Sequence, residues 1–182
     1  MLTQRDRRII RFINDFRCAT TSQIKSLFYS HVSMRYCQQR LRQLTTYSEL
    51  KRFRGHIDDE YIYYTRQKPK EIEHMLWRVD SYIQLNKDYN LVEFIPEYNY
   101  YGIRADAYFE VWQHGLATGY FLEIQKSHRF DLNKYDTPYQ NGHWIEKWNR
   151  FPEVIIKSDL KLNLQQSFIQ AKIFKLNQKI VI

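Results

Sequence analysis

Asp106 and Glu123 are the side chains whose types and spacing could do chemistry together. They stand in the stretch from Glu97 to Lys126, EYNYYGIRADAYFEVWQHGLATGYFLEIQK, which holds two runs of alternating apolar and polar residues. Such alternation is the mark of half-buried strands. In the first run Ile103, Ala105, Ala107, Phe109 and Val111 share one face, and Arg104, Asp106, Tyr108 and Glu110 the other. In the second, Tyr120, Leu122, Ile124 and Lys126 oppose Phe121, Glu123 and Gln125. A hairpin turning through His114 to Gly119 sets Asp106 and Glu123 side by side on one face. Two converging carboxylates repel, and a hard divalent cation, Mg²⁺ or Mn²⁺, is the natural group to hold them. The plainer alternative is two solvated acids on the wet face of an antiparallel sheet.

An Asp in one strand followed by Glu-x-Lys in the next is similar to the signature of the PD-(D/E)XK nucleases. Here the pattern reads Asp106, then Glu123-Ile124-Gln125, with Gln where the Lys would stand. The resemblance implies that Asp106 and Glu123 hold the metal, that the Ile124 carbonyl completes its shell, and that Gln125 orients the attacking water. Lys126 does not replace the missing Lys, because a shift of one residue turns a side chain to the opposite face unless a bulge intervenes. Glu93 and Glu97 share a face of the preceding strand and read as solvated surface acids.

Further elements must position this pair. A helix is expected from Pro69 to about Leu85, with Ile72, Met75, Leu76, Val79 and Ile83 on its apolar face. Strands are expected at Leu91–Tyr98, Ile103–Trp112 and Tyr120–Lys126. Between Arg129 and Arg150 an aromatic helical region is broken by Pro138 and Asn141-Gly142. A buried strand follows at Val154–Lys157. A last helix carries Leu160, Leu164, Phe168 and Ile169, and a final strand lies near Lys172–Leu176. This αβββαβ order agrees with the motif.

Charge divides the chain in two. Residues 1–70 hold 15 Lys and Arg against 6 Asp and Glu, a surplus of nine, whereas the whole chain carries +8. The excess therefore lies in the first third, where it is an electrostatic footprint for a polyanion such as nucleic acid. The same third reads as three helices. Thr3 with Asp6 caps the first, which carries Ile9, Ile10, Phe12, Ile13 and Phe16. Thr20 or Thr21 caps a second with Ile24, Leu27 and Phe28. Ser33 caps a third whose buried stripe is Met34, Cys37, Leu41 and Leu44, with Arg35, Gln38, Gln39 and Arg42 opposite. Strands at Leu50–Arg54 and Glu60–Thr65 follow, joined by a turn-prone loop.

Three helices and a basic hairpin resemble a winged helix-turn-helix. Arg and Gln on the outer face of the third helix suit major-groove base edges, and Lys51, Arg52 and Arg54 suit phosphates or a minor groove. The expected division is therefore a DNA-binding domain at 1–68 and a nuclease-like domain at 69–182, an α+β or α/β chain overall. At 43% hydrophobic and 16% aromatic content the sequence can pack cores and is not disordered. No apolar run approaches the roughly 18 residues of a membrane helix. The charged start MLTQRDRRIIRF has no apolar signal region, so a cytoplasmic location is expected. Cys18 and Cys37 read as reduced packing residues.

Taken whole, the chain is similar to the replication-relaxation proteins of plasmids, phages and integrative elements. The residues that carry this are His74, Arg104-Ala105-Asp106-Ala107, Phe121-Leu122-Glu123-Ile124, Lys134-Tyr135 and Phe151-Pro152-Glu153-Val154. The resemblance implies a DNA-binding accessory protein in replication, relaxation or mobilisation of a mobile element, with duplex DNA and replication or mobilisation proteins as partners and room for a homodimer. The alternatives are a Mg²⁺-dependent endonuclease or nickase, and a transcriptional regulator whose second half dimerises or senses.

Overall fold

A computed structural model describes residues 1–126, 131–162 and 169–182. It is a mixed α and β chain in two compact units, Met1–Ile83 and Gln84–Ile182.

In the first unit, helix α1 (Gln4–Phe16) begins at a complete capping box. The Thr3 hydroxyl accepts from the Asp6 amide at 3.2 Å, and the Asp6 carboxylate accepts from the Thr3 amide at 2.7 Å. Strand β1 (Ala19–Thr20) leads into α2 (Thr21–Phe28), where Thr20 and Gln23 cap one another in the same reciprocal way. Ser33 accepts from the Tyr36 amide at 3.2 Å and starts α3 (Met34–Thr46). Each of these helices thus starts where a short hydroxyl side chain satisfies an orphan amide. Strands β2 (Lys51–Phe53) and β3 (Ile62–Tyr64) close an antiparallel sheet of order β1-β3-β2. Ile9, Ile13, Ile24, Cys37, Leu41 and Leu44 are fully buried between the helices. Met34, expected in that stripe, is 36% exposed at the first position of α3. Cys18 and Cys37 are buried and free.

The expected boundary at 68/69 falls ahead of α4 (Ile72–Asp88), whereas the compact units part inside that helix. The physical reason is local. The Gln23 amide donates to the Leu76 carbonyl at 3.0 Å and to Asp80 at 2.7 Å, and Arg78 donates to the Phe16 carbonyl at 3.2 Å. Tyr82 packs on Phe12 and Phe16. The first turns of α4 are therefore a fourth helix of the first unit.

The second unit is a sheet of order β4-β5-β6-β7-β8. Strands β4 (Leu91–Tyr100), β5 (Ile103–Gln113) and β6 (Leu116–Gln125) form an antiparallel meander. Strands β7 (Glu153–Ser158) and β8 (Ala171–Phe174) add in parallel. The turn between β5 and β6 is tighter than expected. His114 and Gly115 both take positive φ, 51° and 78°, the backbone of a two-residue hairpin turn. Gly119 consequently lies within β6, facing Glu110, instead of opening the strand. Between β6 and β7 the broken helical region consists of a 3-10 turn at Leu132–Tyr135, the short helix α5 (Asp136–Gln140) and a second 3-10 turn at His143–Glu146. The helix expected around Leu160 to Ile169 falls largely outside the described residues.

This irregular segment covers the sheet face that alternation marked as polar. Tyr108 and Phe121 are fully buried there with Tyr135, Trp148 and Phe151. The Trp148 indole donates to the Tyr108 hydroxyl at 2.6 Å, and that hydroxyl contacts Glu110. Gly119 makes room for the ring, since a Cβ there would stand 2.6 Å from the Tyr108 oxygen and 3.0 Å from its Cε2. Gly119→Ala is expected to cost about 1–3 kcal/mol by overpacking against a ring that cannot retreat. Urea unfolding measures it, and a variant as stable as wild type would show that the ring yields.

Candidate functional site

The pairing of β5 with β6 runs through Ala107 opposite Leu122, so Asp106 and Glu123 are the next pair in register. The strands bring the two acids together as the alternation required. They do not leave them in water. Glu123 is 2% exposed, because the 3-10 turn Leu132–Tyr135 lays two side chains against it. The Tyr135 hydroxyl donates to Glu123 Oε1, and Lys134 Nζ lies 2.6 Å from the same oxygen. Lys134 also donates to the Arg104 carbonyl at 3.0 Å, which pins its ammonium between β5 and β6. Asp106 Oδ2 accepts the backbone amide of Ile124 at 2.7 Å.

Burial, and then the negative charge of Asp106, raise the Glu123 carboxyl from 4.5 to about 7, against the opposing pull of Lys134 and Tyr135. Burial and the neighbouring Glu123 carboxylate likewise push the Tyr135 hydroxyl well above its ordinary range. The pair is thus a buried carboxyl that titrates near neutrality beside a carboxylate held by a backbone amide. The solvated reading of Glu123 does not hold.

Lys134 and Tyr135 carried only a family resemblance in the sequence, with no role. A side chain arriving from a later turn leaves no trace in strand periodicity. Lys134 supplies an ammonium where the strand itself offers Gln125. By alternation Gln125 shares the face of Glu123, and its carbonyl accepts from the Ser158 hydroxyl at 2.9 Å. Among the described residues no group of three or more His, Cys, Asp or Glu could hold a metal ion. As arranged, the donor set does not fit a divalent cation well: Lys134 already balances Glu123, and one Asp106 oxygen is taken by an amide. Glu93 and Glu97 are exposed on β4.

The second cluster lies on α3. Arg35, Gln38, Gln39 and Arg42 are all exposed, and at about 100° per residue they span about 100° of the helix surface. Cys37, Leu41 and Leu44 are buried on the other side. In the hairpin, the Arg52 and Arg54 guanidiniums lie 4.0 and 4.8 Å from the centre of the Tyr61 ring. Lys51 donates to the Arg66 carbonyl at 2.9 Å. The loop beyond Arg54 carries Asp58, Asp59 and Glu60, so the positive charge of the hairpin sits at Lys51, Arg52 and Arg54 and not at its tip.

The aromatic residues of the second unit divide by exposure. Tyr98 and Trp148 are buried, and with Tyr100 and Tyr108 they surround Lys147, whose ammonium lies 5.0–5.4 Å from the four ring centres. Those rings hold a cation of their own. Tyr101 is 60% exposed and stacks on His143 with centroids 4.9 Å apart.

No helix among the described residues is long and apolar enough to cross a membrane. No protein-family model, curated protein or solved structure matches the chain.

Proposed function

We propose that the chain is a DNA-binding accessory protein. On this reading the first unit is a winged helix-turn-helix that sets α3 in a major groove, and the second is a PD-(D/E)XK-like platform for DNA or a protein partner. A role in replication, relaxation or mobilisation of a mobile element rests on the resemblance to the replication-relaxation proteins. The observation that carries the reading is the outer face of α3. Four long donors, Arg35, Gln38, Gln39 and Arg42, stand exposed on one face of a capped helix, in the part of the chain that holds the charge surplus. Arg and Gln in such a row match the donor and acceptor edges of guanine and adenine.

Selection from a random duplex pool with the full chain is expected to enrich a site. Arg35→Ala or Arg42→Ala should then weaken that site by about 1–3 kcal/mol and relax its sequence. Arg52→Ala or Arg54→Ala should weaken all duplexes alike and flatten the salt dependence. No enrichment, together with equal losses for all four variants, would refute base reading by α3.

A second reading, a metal-dependent endonuclease or nickase, is favoured by one observation: Lys134 brings an ammonium beside Glu123, where the strand offers only Gln125. In that reading Asp106 and Glu123 would hold Mg²⁺ or Mn²⁺ only once Glu123 gave up its Lys134 contact, and the ion would supply a Lewis acid for the phosphate. Nicking of supercoiled plasmid with Mg²⁺ or Mn²⁺, abolished by chelator and by Asp106→Asn, would establish it. No nicking with either ion leaves the platform.

A further inference from the structure

A cleft of about 580 Å³ in the first unit lies between α1 and α3 and is lined by Arg5, Arg8, Tyr29, Tyr36, Gln39 and Gln43. It shares only Gln39 with the base-reading row of α3, and its position on that helix is specific. By helical spacing Tyr36, Arg40 and Gln43 form the side of α3 next to the outer face, and Gln39 stands on the edge that the two share. A double helix lying along Arg35, Gln38 and Arg42 therefore has one sugar-phosphate strand running past this edge.

The cleft is built to hold its donors in place. Asp6, the one acid in its wall, is buried, and Arg40 cancels its charge with Nε 3.0 Å from Oδ1. Arg40 Nη1 in turn donates to the Gln43 side-chain oxygen at 2.7 Å, which commits that oxygen and leaves the amide NH₂ as the donor of Gln43. The Arg5 guanidinium lies 5.0 Å from the Tyr29 ring centre and that of Arg8 5.9 Å from Phe28. Stacking on a ring preorganises a planar cation without using up its hydrogen bonds. With Asp6 and Arg40 cancelling, Arg5 and Arg8 leave the wall with two uncompensated positive charges.

We infer that this cleft seats the phosphodiester backbone of duplex DNA, with Arg5 and Arg8 as the charged donors, Gln43 as a neutral one and Tyr36 against the sugar. The inference rests on the DNA-binding reading and adds a second backbone contact, distinct from β2. Such contacts position the protein on the duplex without reading sequence.

The test measures duplex binding by fluorescence anisotropy over a series of KCl concentrations, using a random-sequence duplex and the full chain. Arg5→Ala/Arg8→Ala is expected to reduce the slope of log affinity against log salt by about 2, near 0.9 for each phosphate no longer neutralised. Arg5→Lys/Arg8→Lys should keep the slope. Arg11→Ala, an equally charged and 87% exposed side chain on α1 outside the cleft, should keep it too. Melting temperatures of the variants report on folding. A wild-type slope in the double Ala variant, or an equal loss in Arg11→Ala, overturns the inference and leaves the α3 reading standing. Failure of the wild-type chain to bind any duplex defeats both. Binding of inorganic phosphate separates the sources: phosphate held by the wild-type chain and lost in the double Ala variant, with that variant keeping the wild-type duplex slope, would assign the cleft to a free anion and overturn the DNA assignment.

Discussion

Arg40→Ala is expected to cost about 3–5 kcal/mol of folding stability at neutral pH. Its partner explains the size. The Asp6 side chain is 1% exposed, so removing the guanidinium leaves a carboxylate with no counter-charge away from water. Burial raises the Asp6 carboxyl, but hydrogen bonds from Arg40 and Thr3 outweigh it and hold the group at about 2. The folded value lies below the ordinary 3.8, so this stabilisation is present above about pH 4 and is lost as the pH falls through 2. The acid limb is worth about 2 kcal/mol at 1.36 kcal/mol per unit. Asp6→Ala/Arg40→Ala should cost less than the sum of the single changes, because no charge is then stranded. Urea unfolding of the four proteins measures the coupling, and additive losses would contradict it.

Glu123 is expected to make the second unit less stable as pH rises. Its carboxyl titrates near 7 in the folded chain, above the ordinary 4.5, so the folded chain keeps a proton that the unfolded one gives up. The contribution is fully present below 4.5 and is lost as pH rises through 7, about 3 kcal/mol in all. Glu123→Gln mimics the protonated form. It should match wild type near pH 4.5 and exceed it by about that amount at pH 8. Asp106→Asn relieves the repulsion and should shrink the same slope, while its amide oxygen can still accept from the Ile124 amide. Melting temperatures between pH 4.5 and 8 report both. A flat wild-type profile, or a Gln variant weaker at pH 8, would contradict the account.

What the sequence reveals and what it conceals divide along the range of the interactions. Thr3, Thr20 and Ser33 mark helix starts because a cap acts over three residues. The alignment of Asp106 with Glu123 was legible because strand alternation and a single turn set it, even though the turn proved to be His114-Gly115. Burial of Tyr108 and Glu123 was not legible. It depends on a segment without a regular period, whose Tyr135 and Trp148 settle on a face that alternation alone marks as wet. The link from Asp6 to Arg40 spans 34 positions, and Arg40 reads in the sequence as one more basic residue of α3. The units part within α4 for a similar reason, since Gln23 and Phe16 draw its first turns to the helices before it.

The measurement closest to the central claim is amide hydrogen exchange of the full chain with and without a selected duplex. Slowed exchange is expected in Ser33–Thr46 and Lys51–Arg54, in the first turn of α1 beside its cleft, and not in β4 to β8. Protection confined to residues 84–182, with α3 exchanging as in the free chain, would contradict the assignment of DNA binding to the first unit.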